Sequence, residues 1–344
     1  MSIRILFVGD GSYPMYASAF YNAALEIEGV YAELFDYDNL NLKKISKNSF
    51  AKRTEYHYCL GPDVNRINRK LIELCKDRQF DIVFLYSAEL VFESTVKKLK
   101  TLGIYIAVYH NDDPFSTKRN KYRLRHFLGT IKHADIAYAY RIANVNQYYC
   151  YGAAKSKLLR SYYIKSRNYP LQDYERDDEI EVPRIGFVGH YEDDGRLDFI
   201  KALTDKQVDV GVLPDWPILN DHMKIIKGAD KKYNEVLNQL DIAIVFLSTL
   251  NSDTYTRRCF EIPMAKTMML SVFTSDIASM YDDGKEIVFF TNPNEFADKA
   301  VYYLNHADER KVIADAAYER CLRDGHEATD RVKEIIANYV DRDT

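Results

Sequence analysis

The sequence predicts an α/β protein with two domains, each built on a doubly wound parallel sheet. Short apolar runs alternate with amphipathic helical patterns along both halves of the 344 residues, as expected for parallel strands joined by crossover helices. A charged stretch with two prolines and no apolar period, residues 166–183, interrupts this alternation and predicts a linker. The expected domains are therefore residues 1–165 and 184–325, and a C-terminal helix is expected over residues 326–344.

The first domain is predicted to alternate strands with helices. Its strands are expected at residues 3–9, 31–37, 81–86, 104–110, 135–139 and around Leu158, and its helices at 15–28, 65–76, 92–102 and 144–151. Gly152 directly follows the last of these helices. It is predicted to be the C-cap, because glycine tolerates the left-handed conformation in which many helices end.

The second domain restarts the same alternation at residue 184. Its strands are expected at residues 184–189, 208–214, 242–247, 271–276 and 286–290, and its helices from residue 231, from about Tyr255 and over 277–281, 294–305 and 308–323. The C-terminal helix is expected at 329–340. The run 242–247 is apolar throughout, which is typical of a strand buried on both faces of a parallel sheet.

Composition and charge argue against a nucleic-acid-binding, membrane-spanning or secreted protein. The net charge is −4 and no dense Lys/Arg block occurs, so a nucleic acid is not the expected primary partner. No apolar run approaches the ~20 residues of a membrane-spanning helix, and the first apolar run is predicted to be a strand rather than a signal peptide. Five scattered cysteines lack metal-binding spacing and are predicted to be buried thiols in a reducing compartment. We therefore expect a cytoplasmic location.

The chemically richest stretch is DTYTRRCFEIPMAKTMML, residues 253–270, which follows the buried run 242–247. In open α/β sheets, ligands collect beyond the carboxyl ends of the strands. Asp253, Arg257, Arg258 and Glu261 are predicted to lie there, with both carboxylates facing one cleft. Arginine suits phosphate because its planar fork donates two hydrogen bonds in parallel. A second interpretation stays open, in which Glu261 pairs with the arginines three and four residues before it in a surface ladder.

The segment RCFEIPMAKTMML, residues 258–270, resembles the signature of the CgeB-like glycosyltransferases of the spore maturation protein type. These are related to the large retaining GT-B group, whose motif is a glutamate, seven residues and a second glutamate. The resemblance implies that Asp253 touches the sugar and that Glu261 holds the ribose hydroxyls of the nucleotide. Two departures stand out: the first acid is aspartate, and Lys266-Thr267 replaces a small residue and a glycine, which removes a residue tolerant of left-handed geometry.

A second similar string is YHNDDPF, residues 109–115, at the predicted carboxyl end of a strand. The family has a closely similar string that ends in DDPF. His110, Asp112 and Asp113 could orient an acceptor hydroxyl or contact the sugar, since proton transfer needs an imidazole or carboxylate close to the reacting group. Alternatively, an aspartate before Pro114 is an ordinary N-cap of a helix.

Two glycine-containing loops resemble phosphate-contacting loops of GT-B enzymes. GDGSYP, residues 9–14, would place Gly11 near a phosphate, although two glycines after a strand also form an ordinary turn. RIGFVGHYEDDGR, residues 184–196, looks like the opening of the nucleotide-binding domain and marks Gly189 and His190. Arg196 is the candidate diphosphate contact, and the alternative is a solvated arginine in the first turn of a helix.

Together these similarities imply the GT-B fold, two Rossmann-like domains facing a cleft, with the last helix returning to the first domain. The implied activity moves a sugar from a UDP-, GDP- or dTDP-sugar donor to a hydroxyl of a polysaccharide, lipid-linked glycan or protein. Retention at the anomeric carbon is implied by the relatives, and no metal or other cofactor is expected to be required, although the pairs 112–113 and 193–194 are possible metal ligands. A nucleotide-sugar epimerase or a non-catalytic sugar-binding protein are the alternatives, and peripheral membrane contact stays open.

Overall fold

The computed structural model describes residues 2–37, 50–118, 121–171, 181–229 and 231–343. The chain forms two compact units, one of Met1–Ser161 with Ala328–Thr344 and one of Tyr162–Glu327. Residues 172–180, the centre of the predicted linker, lie outside the described residues. The described residues on either side of them, 166–171 and 181–183, belong to the second unit.

The first unit is built on a parallel sheet with the strand order β2-β1-β3-β4-β5-β6 in the described part of the chain. Its strands are β1 (Ile3–Gly9), β2 (Val30–Asp36), β3 (Ile82–Tyr86), β4 (Tyr105–His110), β5 (Ile136–Ala139) and β6 (Ser156–Leu158). Its helices are α1 (Ala17–Leu25), α2 (Phe50–Tyr58), α3 (Pro62–Asp77), α4 (Glu93–Thr101), α5 (Lys121–Ile131) and α6 (Ile142–Tyr151), together with the last helix of the chain. All residues of β3, β4 and β5 are buried, because helices cover both faces of a doubly wound sheet.

The last helix, α13 (Ala328–Val340), packs against the first unit. The Tyr339 ring meets the Tyr105 ring edge-on, with centroids 5.4 Å apart. At the other end of the helix, Arg331 Nε donates to the carbonyl of Arg160 at 3.0 Å. The C-terminal segment therefore completes the core of the unit in which the chain begins.

The second unit has a parallel sheet with the order β12-β11-β10-β7-β8-β9 among its described residues. Its strands are β7 (Ile185–Gly186), β8 (Val210–Val212), β9 (Met223–Ile225), β10 (Ile242–Val245), β11 (Met268–Val272) and β12 (Val288–Phe290). Its helices are α7 (Arg196–Thr204), α8 (Tyr233–Gln239), α9 (Arg258–Met264), α10 (Ser275–Ala278), α11 (Pro293–Asn305) and α12 (Ala307–Arg323). Phe187, Phe246, Phe290 and Phe296 form an aromatic centre in its core.

The predicted fold class is confirmed, but several elements differ from their predictions. α2, α5 and β9 were not predicted, since α2 is rich in charged and polar residues and β9 is only three residues long. α7 begins at Arg196, as the second interpretation of that arginine implied. The strand predicted at 271–276 is β11, which begins at Met268 instead. Its first residues pair with β10, Met268 with Ile242 and Leu270 with Ile244, and this apolar run is fully buried there.

The ends of α6 and α9 bear on two points of the sequence analysis, the predicted C-cap Gly152 and the replacement of a glycine by Lys266-Thr267. Gly152 is the left-handed C-cap of α6, with a φ of 107°, as predicted. After α9, Lys266 adopts a left-handed φ of 53° without being glycine. Its Nζ lies 3.4 Å from Asp315 and 4.6 Å above the Tyr318 ring, so contacts with α12 hold a conformation that costs a non-glycine residue roughly 1 kcal/mol.

Two predictions about the chain's chemical environment can be compared with the structure. Cys59, Cys75, Cys259 and Cys321 are buried, whereas Cys150 is exposed on α6, so the prediction of buried thiols is wrong for Cys150. Spacing alone could not place this residue on the outer face of its helix. Among the described helices, none is long and apolar enough to cross a membrane.

Candidate functional site

The loop after β7 is held in place by side chains from other elements. Arg258 Nε donates to the carbonyl of Val188 at 2.9 Å, and Trp216 Nε1 donates to the carbonyl of Gly189 at 2.9 Å. Both hydrogen bonds are made to backbone carbonyls directly after the strand. The loop conformation at the carboxyl end of β7 is therefore held by side chains from other elements.

The close approach of Arg258 leaves little room for a side chain at residue 189. A Cβ added at residue 189 would lie 2.5 Å from Arg258 Nη2 and 2.5 Å from the Phe187 ring. The Arg258 guanidinium also lies over that ring, 5.0 Å from its centroid. The predicted functional residues Gly189 and Arg258 are thus neighbours, although nearly seventy residues separate them in sequence.

The outer end of Arg258 is open. Beyond the hydrogen bond from Nε to Val188, neither Nη1 nor Nη2 makes a hydrogen bond or ion pair with any residue that the structure describes. A half-buried guanidinium with two unpaired nitrogens can donate in parallel to a phosphate.

Glu261 lies three residues after Arg258 on α9 and is also half-buried. Tyr233 donates its hydroxyl to Glu261 Oε2 at 3.0 Å. Within the described ranges, Glu261 makes no other hydrogen bond and no ion pair, so the predicted alternative of an arginine ladder does not form. Arg257 instead lies over the Tyr162 ring, 5.0 Å from its centroid.

Asp253 lies half-buried in the loop between β10 and α9. Its backbone N–H donates to the carbonyl of Ser248 at 3.0 Å, and the preceding Ser252 has a left-handed φ of 52°. The loop is therefore tightly turned, which places Asp253 at the same carboxyl edge of the sheet as Arg258. Its sugar contact stays a prediction.

Arg196 is buried rather than solvated. Its Nε and Nη2 donate to the two carboxylate oxygens of Asp194 at 2.7 and 2.6 Å. Nη1 donates to the carbonyl of His190 at 2.9 Å, and Nη2 also reaches the carbonyl of Leu247 at 3.2 Å. Arg196 thereby ties the loop after β7 to the loop after β10, and these donors are already used within the protein.

His190 is the most exposed of the predicted site residues, with 86% of its side chain accessible. Its Nδ1 lies 3.0 Å from Asp215 Oδ2, which also accepts from the backbone N–H of Tyr191 at 3.1 Å. Burial raises the pKa of Asp215, but the hydrogen bonds from Tyr191 and His190 outweigh it and the pKa is lowered. The imidazole is therefore fixed at one nitrogen and open at the other.

In the first unit, His110 ends β4 and is 1% exposed. The backbone N–H of Asp112 donates to His110 Nδ1 at 3.0 Å. The neutral ring therefore carries its proton on Nε2, which faces Glu89 Oε1 at 3.6 Å. In this arrangement His110 offers a hydrogen-bond donor and not a free base.

Glu89 follows β3 and was not among the predicted site residues. Arg123 donates to Glu89 Oε2 from Nη2 at 2.6 Å and from Nε at 2.8 Å. Burial raises the pKa of Glu89, but the neighbouring His110 and the ion pair with Arg123 outweigh it and lower the pKa to about 2. A carboxylate shortly after an apolar strand was the available signal, and the distant Arg123 could not be read from sequence.

Asp113 is buried in a turn and does not begin a helix. Its Oδ1 accepts from the backbone N–H of Phe115 and from Asn144 Nδ2, both at 3.0 Å. Residues 114–118 form turns, so the predicted helix N-cap is absent from the described residues there. Asp113 thus joins β4 to α6.

Gly11 comes close to a carboxylate of its own unit. Its backbone N–H donates to Asp36 Oδ1 at 2.7 Å, and a Cβ at residue 11 would lie 2.5 Å from Asp36 Cγ. A phosphate approaching the Gly11 amide would meet this carboxylate at short range. Asp36, at the end of β2, therefore limits the room for a side chain at residue 11.

The aspartate pairs 112–113 and 193–194 do not gather further ligands. In the part of the chain that the structure describes, no group of three His, Cys, Asp or Glu side chains is placed to hold a metal ion. Asp194 is instead paired with Arg196.

Comparisons with known proteins agree with this architecture. Residues 196–337 match a family model described as glycosyl transferase-like. No curated protein matched the chain. The structure of Anabaena Alr3699/HepE in complex with UDP and glucose is similar, with a TM-score of 0.68, 11% identity and coverage of 98% of this chain and 99% of that chain.

Two further structures are similar over nearly the whole chain. Sucrose-phosphate synthase from Thermosynechococcus elongatus has a TM-score of 0.69, 9% identity and 98% coverage of both chains. A putative UDP-N-acetylglucosamine 2-epimerase from Listeria monocytogenes has a TM-score of 0.60, 11% identity and coverage of 98% of this chain and 96% of that chain. The chain thus has the GT-B fold of two parallel α/β sheets, and its residues 196–337 match the glycosyl transferase-like family model.

Proposed function

We propose that this protein is a glycosyltransferase that moves a sugar from a nucleotide-sugar donor to a hydroxyl acceptor. One observation carries the proposal. Arg258 and Glu261 lie one turn apart on α9, and among the described residues the Arg258 Nη1 and Nη2 donors and the Glu261 Oε1 acceptor have no partner. The family match over residues 196–337 includes both side chains.

The chemistry of the two side chains fits opposite ends of a nucleoside diphosphate. The Arg258 guanidinium binds the diphosphate and stabilises the charge that develops on it as the sugar departs. Glu261 Oε1 accepts hydrogen bonds from the ribose hydroxyls, since a carboxylate only accepts. Gly189 leaves the space in which Arg258 reaches its position. Gly11 and Arg196 are left out of the proposed donor site because their neighbours already use their donors.

The donor is proposed to be a UDP-sugar, because the similar Anabaena structure holds UDP and glucose. GDP- and dTDP-sugars are the other candidates. On the resemblance of residues 109–115 and 253–270, the proposal extends to the CgeB-like subtype and to retaining, metal-independent transfer. His110, Asp113 and Asp253 are the proposed contacts with acceptor or sugar, with His110 donating from Nε2. His190 is proposed to reach the donor with its open nitrogen.

The test is calorimetric titration of UDP and UDP-glucose into the wild type and the Glu261→Gln variant, beside donor hydrolysis. We expect affinity to fall by about 100-fold in the variant, because hydrogen bonds to a charged group contribute roughly 1.5–3 kcal/mol each. Glu319→Gln, an exposed glutamate of the same unit, is the matched control and should bind as the wild type does. Equal affinity in Glu261→Gln would remove the ribose assignment.

A nucleotide-sugar epimerase is the second candidate, favoured by the similarity to the Listeria structure. An epimerase converts its donor without any acceptor, whereas a transferase releases the nucleotide as it moves the sugar. Chromatography of products formed from the donor alone separates the two: an isomeric nucleotide-sugar indicates the epimerase, and free nucleotide with free sugar indicates the transferase.

A further inference from the structure

Tyr233 is the anchor of the Glu261 carboxylate. It is the first residue of α8, whereas Glu261 lies on α9, and its hydroxyl donates to Oε2 at 3.0 Å. Throughout the described parts of the chain, this is the hydrogen bond that Glu261 makes. Without it, a glutamate with several rotatable bonds would sample many orientations at a half-buried position.

The hydroxyl of Tyr233 remains a donor at any physiological pH. Burial raises its pKa well above the ordinary value, the charge of Glu261 raises it further, and the charge of Arg258 opposes the change only in part. The direction of the hydrogen bond is therefore fixed, from Tyr233 to Glu261. Oε2 accepts from Tyr233, and Oε1 has no partner among the described residues, so Oε1 is the more available oxygen for a ligand.

We infer that Tyr233 is a positioning residue for ribose recognition, which rests on the proposed function of Glu261. Its hydroxyl holds the carboxylate so that Oε1 meets the ribose diol of the donor. Tyr233 acts through Glu261 and does not itself touch the diol. The ligand class that depends on it is therefore a ribonucleoside diphosphate, and a nucleotide without ribose hydroxyls does not benefit from it.

The experiment compares UDP with 2′,3′-dideoxy-UDP on the wild type, Tyr233→Phe and a control. Tyr281→Phe is the matched control, because Tyr281 donates its hydroxyl at 2.8 Å to the carbonyl of Cys259 on the same helix α9. Tyr233→Phe should weaken UDP binding by about tenfold and leave dideoxy-UDP binding within about twofold, since one hydrogen bond to a charged group is lost. Tyr281→Phe should lower the melting temperature and leave the ratio of the two affinities unchanged.

A double-mutant cycle supplies the second arm. If Tyr233 acts through Glu261, the phenylalanine substitution should have no further effect on UDP affinity in the Glu261→Gln background. A loss in that background equal to the loss in the wild type would overturn the inference.

The outcomes separate the inference from the function on which it rests. Equal weakening of UDP and dideoxy-UDP in Tyr233→Phe would assign Tyr233 to the base or to folding and would sink the inference. An unchanged UDP affinity in Tyr233→Phe would also overturn the inference. If the wild type still bound UDP more tightly than dideoxy-UDP, the proposed donor site would stand. A wild type that binds neither UDP nor GDP would instead remove the proposed function, and the inference with it.

Discussion

Near the carboxyl edge of each sheet, one arginine and one glutamate are found in opposite states. In the first unit the charges are paired with each other: Arg123 binds Glu89. In the second unit Arg258 and Glu261 sit three residues apart and do not pair. The difference teaches that strand-end position alone does not make a binding site. A charged group that is already paired within the protein gains little binding free energy from a ligand. An unpaired guanidinium or carboxylate can form new hydrogen bonds to one.

The largest effect on UDP affinity is expected when the unpaired arginine of the second unit is removed. Arg258→Ala should weaken UDP binding by about 100-fold, because a bidentate, charge-assisted contact is lost. Titration calorimetry measures the loss of affinity. Thermal stability should fall modestly, because the hydrogen bond to Val188 and the contact with the Phe187 ring are lost as well.

The matched control for that experiment is Arg123→Ala in the first unit. It leaves Glu89 without its ion pair, so it should lower thermal stability and leave UDP affinity as in the wild type. If the two variants had the same effect on UDP affinity, the contrast between open and paired edges would be wrong.

The next effect concerns the pH dependence of stability caused by Glu89, which is paired with Arg123 in the first unit. The pKa of Glu89 is lowered from 4.5 to about 2 in the folded protein, so its contribution is present above the unfolded pKa and is lost as pH falls toward 2. About 2 kcal/mol of the free energy of unfolding should disappear between about pH 5 and pH 3. Urea unfolding across this range measures it. In Glu89→Gln the loss should be smaller by that amount, and an identical slope in both proteins would contradict the pairing.

The smallest effect compares two glycines. Gly189→Ala places a methyl group 2.5 Å from Arg258 Nη2 and should weaken UDP binding by about tenfold as the guanidinium moves aside. Gly11→Ala makes an equally close contact with Asp36 in the first unit. It should lower the melting temperature without changing UDP affinity. Loss of binding in Gly11→Ala would return that loop to the candidate phosphate contacts.

The sequence was most informative where local chemistry decides structure. The apolar run of β10 and the left-handed Gly152 followed from residue type, because continuous burial and glycine's freedom are local properties. It was least informative for short or charged elements, such as β9 and α2, whose stability comes from the surface they pack on. The start of β11 was misplaced because its first residues are fixed by pairing with β10, a long-range contact that the local pattern does not show.

By itself, the sequence determined that the chain is a two-domain α/β protein with Asp253, Arg258 and Glu261 near a strand end. Only the tertiary structure decided which polar atoms remain available. Arg196 is consumed by Asp194, whereas Arg258 is not, although both are arginines at the first position of a helix after a strand-end loop. The physical reason is that hydrogen-bond satisfaction depends on partners brought together from distant strands, and spacing along one segment carries no information about them.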